Sequence, residues 1–381
     1  MIYLDHSATT PIDPRVAQAM QPYLTAHFGN PSSIYRAGQD VRMAVEQARE
    51  KVAALIRAKP KEIIFTSGGT ESDNTAIKGL ALKKGSGHLV TTAIEHPAVL
   101  NVFKYLEKHG FSATYVPVGS DGVVDPDAIG RCMRRDTVVV SVMHANNEVG
   151  TIQPIEEIAA ITNERGIPFH TDAVQAAGKL PLDVGRMGIG LLSLSGHKFY
   201  GPKGIGALYA RRGIGFEPCI HGGHQEWGKR GGTENVPGII GLGAAAEIAV
   251  EEMANAEVRI RALRDRLETG LAERIADVAF NGHRTNRLGG VSSVCVKYVE
   301  GEAMLLRLDY HGIAASSGSA CTSGSLEPSH VLLAMGIPAE IAHSSLRFSL
   351  GKVNTEEDID KVLEVMPPIV EKLRAMSAFP R

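Results

Sequence analysis

Between residues 62 and 210 the chain repeats one pattern that few folds can absorb. A short apolar segment is followed by a helical segment, and then by another apolar segment. The apolar segments are EIIFT (62–66), HLVTTAI (88–94), ATYVPV (113–118), TVVVSVM (137–143), IPFHT (167–171), GLLSLS (190–195) and IGALYA (205–210). Their lengths and their content of Val, Ile and Thr predict strands. Helical spacing lies between most of them, as in NTAIKGLALKK (74–84) and IEEIAAITNERG (155–166), and VRMAVEQAREKVAALI (41–56) precedes them. Parallel strands need a crossover, and a helix is its usual form. The alternation therefore predicts an α/β domain around a mainly parallel sheet.

After about residue 240 the pattern changes. AAAEIAVEEMANAEVRIRALRDRLETGLAERI (244–275) reads as one long or broken helix with dense charge pairing, leading into a second domain. There, SSVCVKYV (292–299) and SLRFSLG (345–351) predict strands. EGEAMLLRLDYHG (300–312) and TEEDIDKVLEVMPPIVEKLRAM (355–376) predict helices. The first dozen residues carry no helical pattern and are expected to pack near this smaller domain.

Composition narrows the function classes. The formal net charge is −2, so no global field favours nucleic acid or an anionic membrane. No apolar run has the length of a bilayer span. MIYLDHSATTPIDP carries Asp5 and no basic apolar leader, so no signal peptide and a cytoplasmic location are expected. The four cysteines, Cys132, Cys219, Cys295 and Cys321, lie far apart, which favours reduced thiols over a disulfide framework or zinc site.

In open α/β sheets ligands bind beyond the carboxyl ends of the strands. Five of these ends carry polar motifs. After the first strand, SGGTESDN (67–74) opens a helix, with Gly68 and Gly69 permitting a tight turn and Thr70 offering a hydroxyl. This is either a phosphate cradle or a simple cap by Thr70 or Ser72. EHPAV (95–99) places His96 at a helix mouth, either as a cap or facing a ring. HANNEVG (144–150) offers Asn146 and Asn147, as ligand anchors or as a turn. DAVQ (172–175) puts Asp172 and Gln175 on one face if the chain turns helically. GHKFYGPKG (196–204) sets Lys198 directly after an apolar strand, where partial desolvation makes an amine nucleophilic. Each has a plainer reading alone. Together they supply a phosphate site, a stacking ring, an acid and a lysine, the set that pyridoxal phosphate needs.

Over nearly its whole length the chain resembles the class-V aminotransferase-like pyridoxal enzymes, and among them the cysteine desulfurases of the NifS and IscS type. The motifs that carry this include YLDHSATT (3–10), FTSGGTESDN (65–74), ANNEVGTIQPI (145–155), FHTDAVQAAGK (169–179), SLSGHKFYGPKGIG (193–206), GGHQEWGKRGGTENV (222–236), SSGSACTSGSLEPSHVL (316–332) and LRFSLG (346–351). The resemblance implies the fold type I architecture, with a seven-stranded, mainly parallel sheet in a large domain (13–255). A smaller α+β domain (1–12 and 256–381) would carry the cysteine loop.

It also implies roles. Lys198 matches the lysine that forms a Schiff base with the cofactor. Asp172 matches the partner of its ring nitrogen, and Gln175 the residue bonding its phenolic oxygen. His96 matches the histidine stacked on the ring, an acid/base. Gly69, Thr70, Ser195 and His197 match the phosphate site, and Thr233 a threonine reaching the phosphate of the other subunit of a homodimer. Asn146 matches a residue serving both cofactor and substrate, and Arg347 an anchor for the substrate carboxylate. Cys321 matches the nucleophile that takes sulfur from L-cysteine as a persulfide, leaving L-alanine. An iron–sulfur scaffold or other sulfur acceptor is the implied partner. No resident metal is implied, although Cys321 can contact an iron–sulfur unit. A selenocysteine lyase, an aminotransferase and a carrier without catalysis are the alternatives.

The surroundings of Cys321 suit that role. SSGSACTSGS (316–325) has no apolar periodicity to bury a thiol, and Gly318 and Gly324 loosen the chain on either side. A thiol so placed can visit both a cleft and an outside acceptor.

Overall fold

The computed structural model describes residues 1–317 and 327–376. The N-terminal strand β1 (Ile2–Tyr3) precedes the seven strands of the main sheet. These are β2 (Ile63–Thr66), β3 (His88–Thr92), β4 (Ser112–Val116), β5 (Thr137–Ser141), β6 (Phe169–Asp172), β7 (Leu191–Ser195) and β8 (Gly206–Ala210). The remaining strands are β9 (Val278–Asn281), β10 (Val291–Val296), β11 (Ile313–Ala314) and β12 (Ser345–Ser349).

The main sheet has the order β2-β8-β7-β6-β5-β3-β4. Only β8 runs against the others, pairing antiparallel with β2 and β7. The carboxyl ends of β2, β3, β5, β6 and β7 therefore all emerge at one edge. The five polar motifs are brought to that edge by the parallel topology.

The strands alternate between two cores, as a period of two requires. Phe65, Val90, Val140 and Leu192 face one side, with Val41, Val45 and Val52 of the helix Arg36–Leu55. Their chain neighbours Ile64, Leu89, Val139 and Leu191 face the other, against the helices Gly69–Lys84 and Pro97–Glu107. Burial on both faces explains why the segments read as nearly continuous apolar runs.

The expected long helix is one unbroken helix, Val236–Arg274, and it starts earlier than its apolar pattern indicates. Asn235 caps it by accepting from the Gly238 amide, and Pro237 sits in its first turn. Its first half packs with the main sheet through Ile239, Leu242 and Ala249. Its second half joins a separate core through Leu263, Leu267 and Leu271.

That second core lies on an antiparallel sheet of order β12-β10-β9. β1 pairs parallel with β11, Asp5 bridges Ser349, and Leu4 is fully buried in the second core. Residues 2–5 thus pack on this second core, while Thr10 bonds the His197 carbonyl beyond β7. Among the described residues no helix is long and apolar enough to cross a membrane.

Candidate active site

The site begins at the end of β2. Gly68 adopts φ 155° and ψ −176°, which a side chain disfavours, and the helix Gly69–Lys84 follows. No side chain caps this helix. Thr70 and Ser72, the candidate caps, lie inside its first turn instead. The first amides of a helix have no intrahelical acceptor, so here they remain available to an anion. A Cβ on Gly69 would fall 2.6 Å from Val174 Cγ2, so the approach is close enough to need glycine. Thr70, Ser195, His197 and Lys203 line the same pocket. His197 Nδ1 lies 3.1 Å from Thr9 Oγ1, and burial lowers its pKa to about 4.

Beside this pocket is a cavity of about 270 Å³ with Lys198 at its wall. Lys198 ends the short 3₁₀ turn Gly196–Lys198 that follows β7. Its Nζ donates to the Ser7 and Ala8 carbonyls at 2.6 and 2.7 Å.

Asp172 closes β6, is buried, and its Oδ1 accepts from the Val174 amide at 2.9 Å. Burial raises its pKa, while His96 and Lys198 pull it down. A further cation in the cavity would favour its charged form.

His96 is both the cap and the cavity residue. Its Nδ1 accepts from Ala98 N at 3.1 Å, which leaves Nε2 to carry the proton of the neutral ring. Burial lowers its pKa. Gln175 lines the cavity beside Asp172, because residues 173–180 coil through helical bonds such as Ala177 N to Ala173 O.

Arg347 arrives from β12 of the second core and is buried. One terminal nitrogen donates to the Asn147 carbonyl at 3.0 Å, and the other to Asp5 Oδ1 at 2.8 Å. Its Nε is buried with no partner among the described residues. A buried guanidinium edge with an unmet donor suits a carboxylate.

Two expected residues fall elsewhere. Asn146 is fully buried and its amide is spent on the turn. It donates to the Ile94 carbonyl and Met143 Sδ, and accepts from Glu148 N and Val149 N. Asn147 lines the cavity instead. The turn reading of the Asn-Asn pair therefore describes Asn146, because both polar ends of its amide are committed. Thr233 lies in a separate groove with Glu226 and Arg230, which borders the phosphate pocket at Ser67 and Gly204 but does not include Lys198.

Cys321 lies outside the described residues. The chain on either side of that segment is tied to the cavity walls. Ser316 and Arg347 exchange backbone hydrogen bonds of 3.1 and 2.7 Å, and His330 Nε2 lies 2.9 Å from the Glu95 carbonyl. Ser329 caps the next helix and bonds Glu148.

Sequence reasoning missed four contributors. The Ser7 and Ala8 carbonyls carry no sequence signal, since every residue has one. Asp73 lines the cavity and is fully buried beside Asp172, with its pKa raised. Lys179 bonds Gln175; its i+4 spacing in the helical turn was the available signal.

These residues fit pyridoxal phosphate. The uncapped helix end and close-approach glycine suit its phosphate, the buried Asp172 its ring nitrogen, and Lys198 its aldehyde. The family model for class-V aminotransferases matches residues 2–362, and the chain belongs to that family of pyridoxal phosphate-dependent enzymes, within its branch of NifS- and IscS-type cysteine desulfurases. A cysteine desulfurase IscS of Dictyoglomus turgidum is 53% identical over 380 residues, covering 99% of this chain and 96% of its own. A cysteine desulfurase of Nostoc sp. is 54% identical, covering 100% of this chain and 95% of its own. Among solved structures, a NifS-like protein superposes with TM-score 0.92 at 40% identity, covering 98% of this chain and all of its own. SspA in complex with cysteine superposes with TM-score 0.84 at 40% identity, over 93% of this chain and all of SspA.

Proposed function

We propose that the chain is a cysteine desulfurase that converts L-cysteine to L-alanine and passes the sulfur, through a persulfide on Cys321, to an acceptor for iron–sulfur cluster assembly. The observation that carries this is the meeting of Lys198, Asp172, His96 and Arg347, from four separate elements, at one cavity beside an uncapped helix end.

Pyridoxal phosphate supplies, when bound, an electron-accepting ring that stabilises negative charge at the substrate α-carbon. The chain's own residues do the rest. Arg347 takes the substrate carboxylate on the edge left open by Asn147 and Asp5. Asp172 holds a positive charge at the ring nitrogen. Lys198 removes the α-proton, and His96 carries an exchangeable proton on Nε2. The Cys321 thiolate attacks the substrate sulfur, so that an S–S bond forms as the C–S bond breaks. The carbon product leaves as L-alanine after protonation.

Two further parts belong to this reading. The chain acts as a cytoplasmic homodimer, with Thr233 reaching the partner subunit's phosphate pocket. Exposed apolar side chains such as Phe28 and Ile34, 84% and 95% accessible in the single chain, support a covered face. The chain divides into a cofactor domain (13–255) and a small domain (1–12 and 256–381). The two halves of the helix Val236–Arg274 pack in different cores, which supports a division within that helix.

The test is to incubate the cofactor-loaded protein with L-cysteine and a thiol reductant and to measure alanine and sulfide together. Equal amounts are expected. Cys321→Ala is expected to bind cofactor but form no persulfide, and ordinary persulfide labelling in that variant would sink the assignment.

A further inference from the structure

Lys179 is a half-buried lysine for which the reaction above has no use. It projects into a second cavity behind the active site, between the two cores, where Glu252, Glu257 and Lys352 also line the wall. Among the described residues its Nζ makes no ion pair with these carboxylates. It donates to Gln175 Oε1 at 2.8 Å. Gln175 in turn donates from Nε2 to the Ser7 carbonyl at 2.9 Å.

These two contacts define the orientation of the amide. An ammonium can only donate, so it selects the oxygen of Gln175. A carbonyl can only accept, so it selects the nitrogen. Both partners select the same one of the two flip states. Nε2 has two hydrogens, and Ser7 uses one. The other has no partner among the described residues, and Gln175 lines the active-site cavity. With the amide reversed, that edge would offer a lone pair instead.

We infer that Lys179 is a positioning residue, which locks the amide of Gln175 so that the active site always meets an N–H donor and never an acceptor. This rests on the reading that Gln175 faces the phenolic oxygen of pyridoxal phosphate. There a donor is required, because the oxygen is anionic and an acceptor would repel it. The arrangement also survives titration. Burial lowers the Lys179 pKa to about 7, with Lys198 and Arg347 pushing the same way and Glu257 opposing. A neutral amine can still donate to Gln175 Oε1, and the Ser7 carbonyl, which only accepts, keeps the nitrogen on its own side.

The readout is the visible absorbance of the lysine-bound cofactor, titrated with pH in the holoenzyme. The negative charge on the phenolic oxygen holds the neighbouring Schiff-base proton. A donor on that oxygen drains the charge, so losing the donor raises the titration midpoint. One hydrogen bond corresponds to a rise of about 0.5–1 pH unit. Gln175→Leu is expected to raise the midpoint by that amount, and Lys179→Met by a smaller but measurable part of it, because the Ser7 carbonyl alone still favours the same orientation. Lys179→Arg, which still donates, is expected to restore the wild-type value.

The double variant separates positioning from simple loss of charge. If Lys179 acts through Gln175, Lys179→Met adds no further shift in the Gln175→Leu background. A full further shift there would mean that its charge acts directly, and would overturn the inference. So would a wild-type midpoint in Lys179→Met alongside a raised one in Gln175→Leu. An unshifted Gln175→Leu would instead remove the reading of Gln175 itself, and the inference with it. Melting curves and cofactor loading of each variant identify any that misfold, and Lys179→Arg then carries the test.

Discussion

Arg347→Lys tests how the carboxylate of the substrate is held. A guanidinium has five N–H donors in a fixed plane, and an ammonium has three. The structure commits two donors of Arg347, one to the Asn147 carbonyl and one to Asp5. Three remain for a substrate, among them the buried Nε–H with no partner among the described residues. A lysine meeting the same two obligations would have one left. The substitution therefore keeps the charge but reduces a two-point grip to a single bond. One charge-assisted hydrogen bond is worth about 1.5–3 kcal/mol, so kcat/KM for L-cysteine is expected to fall about 10- to 100-fold. The assay is sulfide release against L-cysteine concentration, with cofactor loading and melting temperature measured beside it. Arg347 also ties Asp5 to β12, and these controls isolate that structural role. Cysteamine, which lacks the carboxylate, is the internal reference. Its inhibition constant is expected to stay within about twofold of wild type, because it never used the lost bond. A kcat/KM in Arg347→Lys indistinguishable from wild type, in a fully loaded enzyme, would refute carboxylate anchoring by this residue.

Other consequences follow from the same structure. Lys198→Ala is expected to release no sulfide, and borohydride reduction followed by mass spectrometry should find no cofactor attached to the chain; a covalent adduct at another lysine would contradict the assignment. Glu226→Ala strips the buried Arg49 of its buried counter-ion and leaves it only the half-exposed Glu46 at 3.3 Å, since Glu226 accepts from both terminal nitrogens at 2.7 and 2.8 Å and from the Phe65 amide at 3.0 Å. A loss of about 3–5 kcal/mol is expected, read as a lower urea midpoint, and an unchanged midpoint would show the pair to be dispensable. His170 is fully buried between Ser141 and Ser193, and burial lowers its pKa from 6.5 to about 3. Between those values the unfolded chain binds a proton that the folded chain refuses, so stability falls as pH drops from 6.5 toward 3. His170→Asn should show a shallower fall of the urea midpoint over that window, and an identical slope would exclude His170 as a source of acid sensitivity.

The strands were the most legible part of the fold. Each of the seven apolar segments lies on one strand of the main sheet. Burial on both faces leaves little room for polar residues, so local composition alone reveals them. β1 and β11 were invisible for the opposite reason. Each has two residues, too few for any period, and each exists only because the other pairs with it. The long helix began eight residues early, at Val236 rather than 244, because GIIGLG reads poorly as helix in isolation. Its glycines are what allow close packing: a Cβ on Gly243 would lie 2.7 Å from Ala48. Tertiary contact overrode propensity there.

The site divides in the same way. Thr70, His96, Asp172 and Lys198 each follow a strand of one parallel sheet, so a local motif and a topological rule together place them at a common edge. By itself, the sequence determined the strands, the helices between them and the chemistry waiting at each strand end, since these depend on neighbours within a few residues. Only the tertiary structure decided which of two adjacent asparagines lines the cavity, and that Lys179 reaches Gln175 from behind. It also brought Arg347 to Asp5 across 342 positions and set the Ser7 and Ala8 carbonyls on Lys198. Main-chain carbonyls are the same in every residue, and long-range partners leave no local pattern. Such contacts come into being only when the chain has closed on itself.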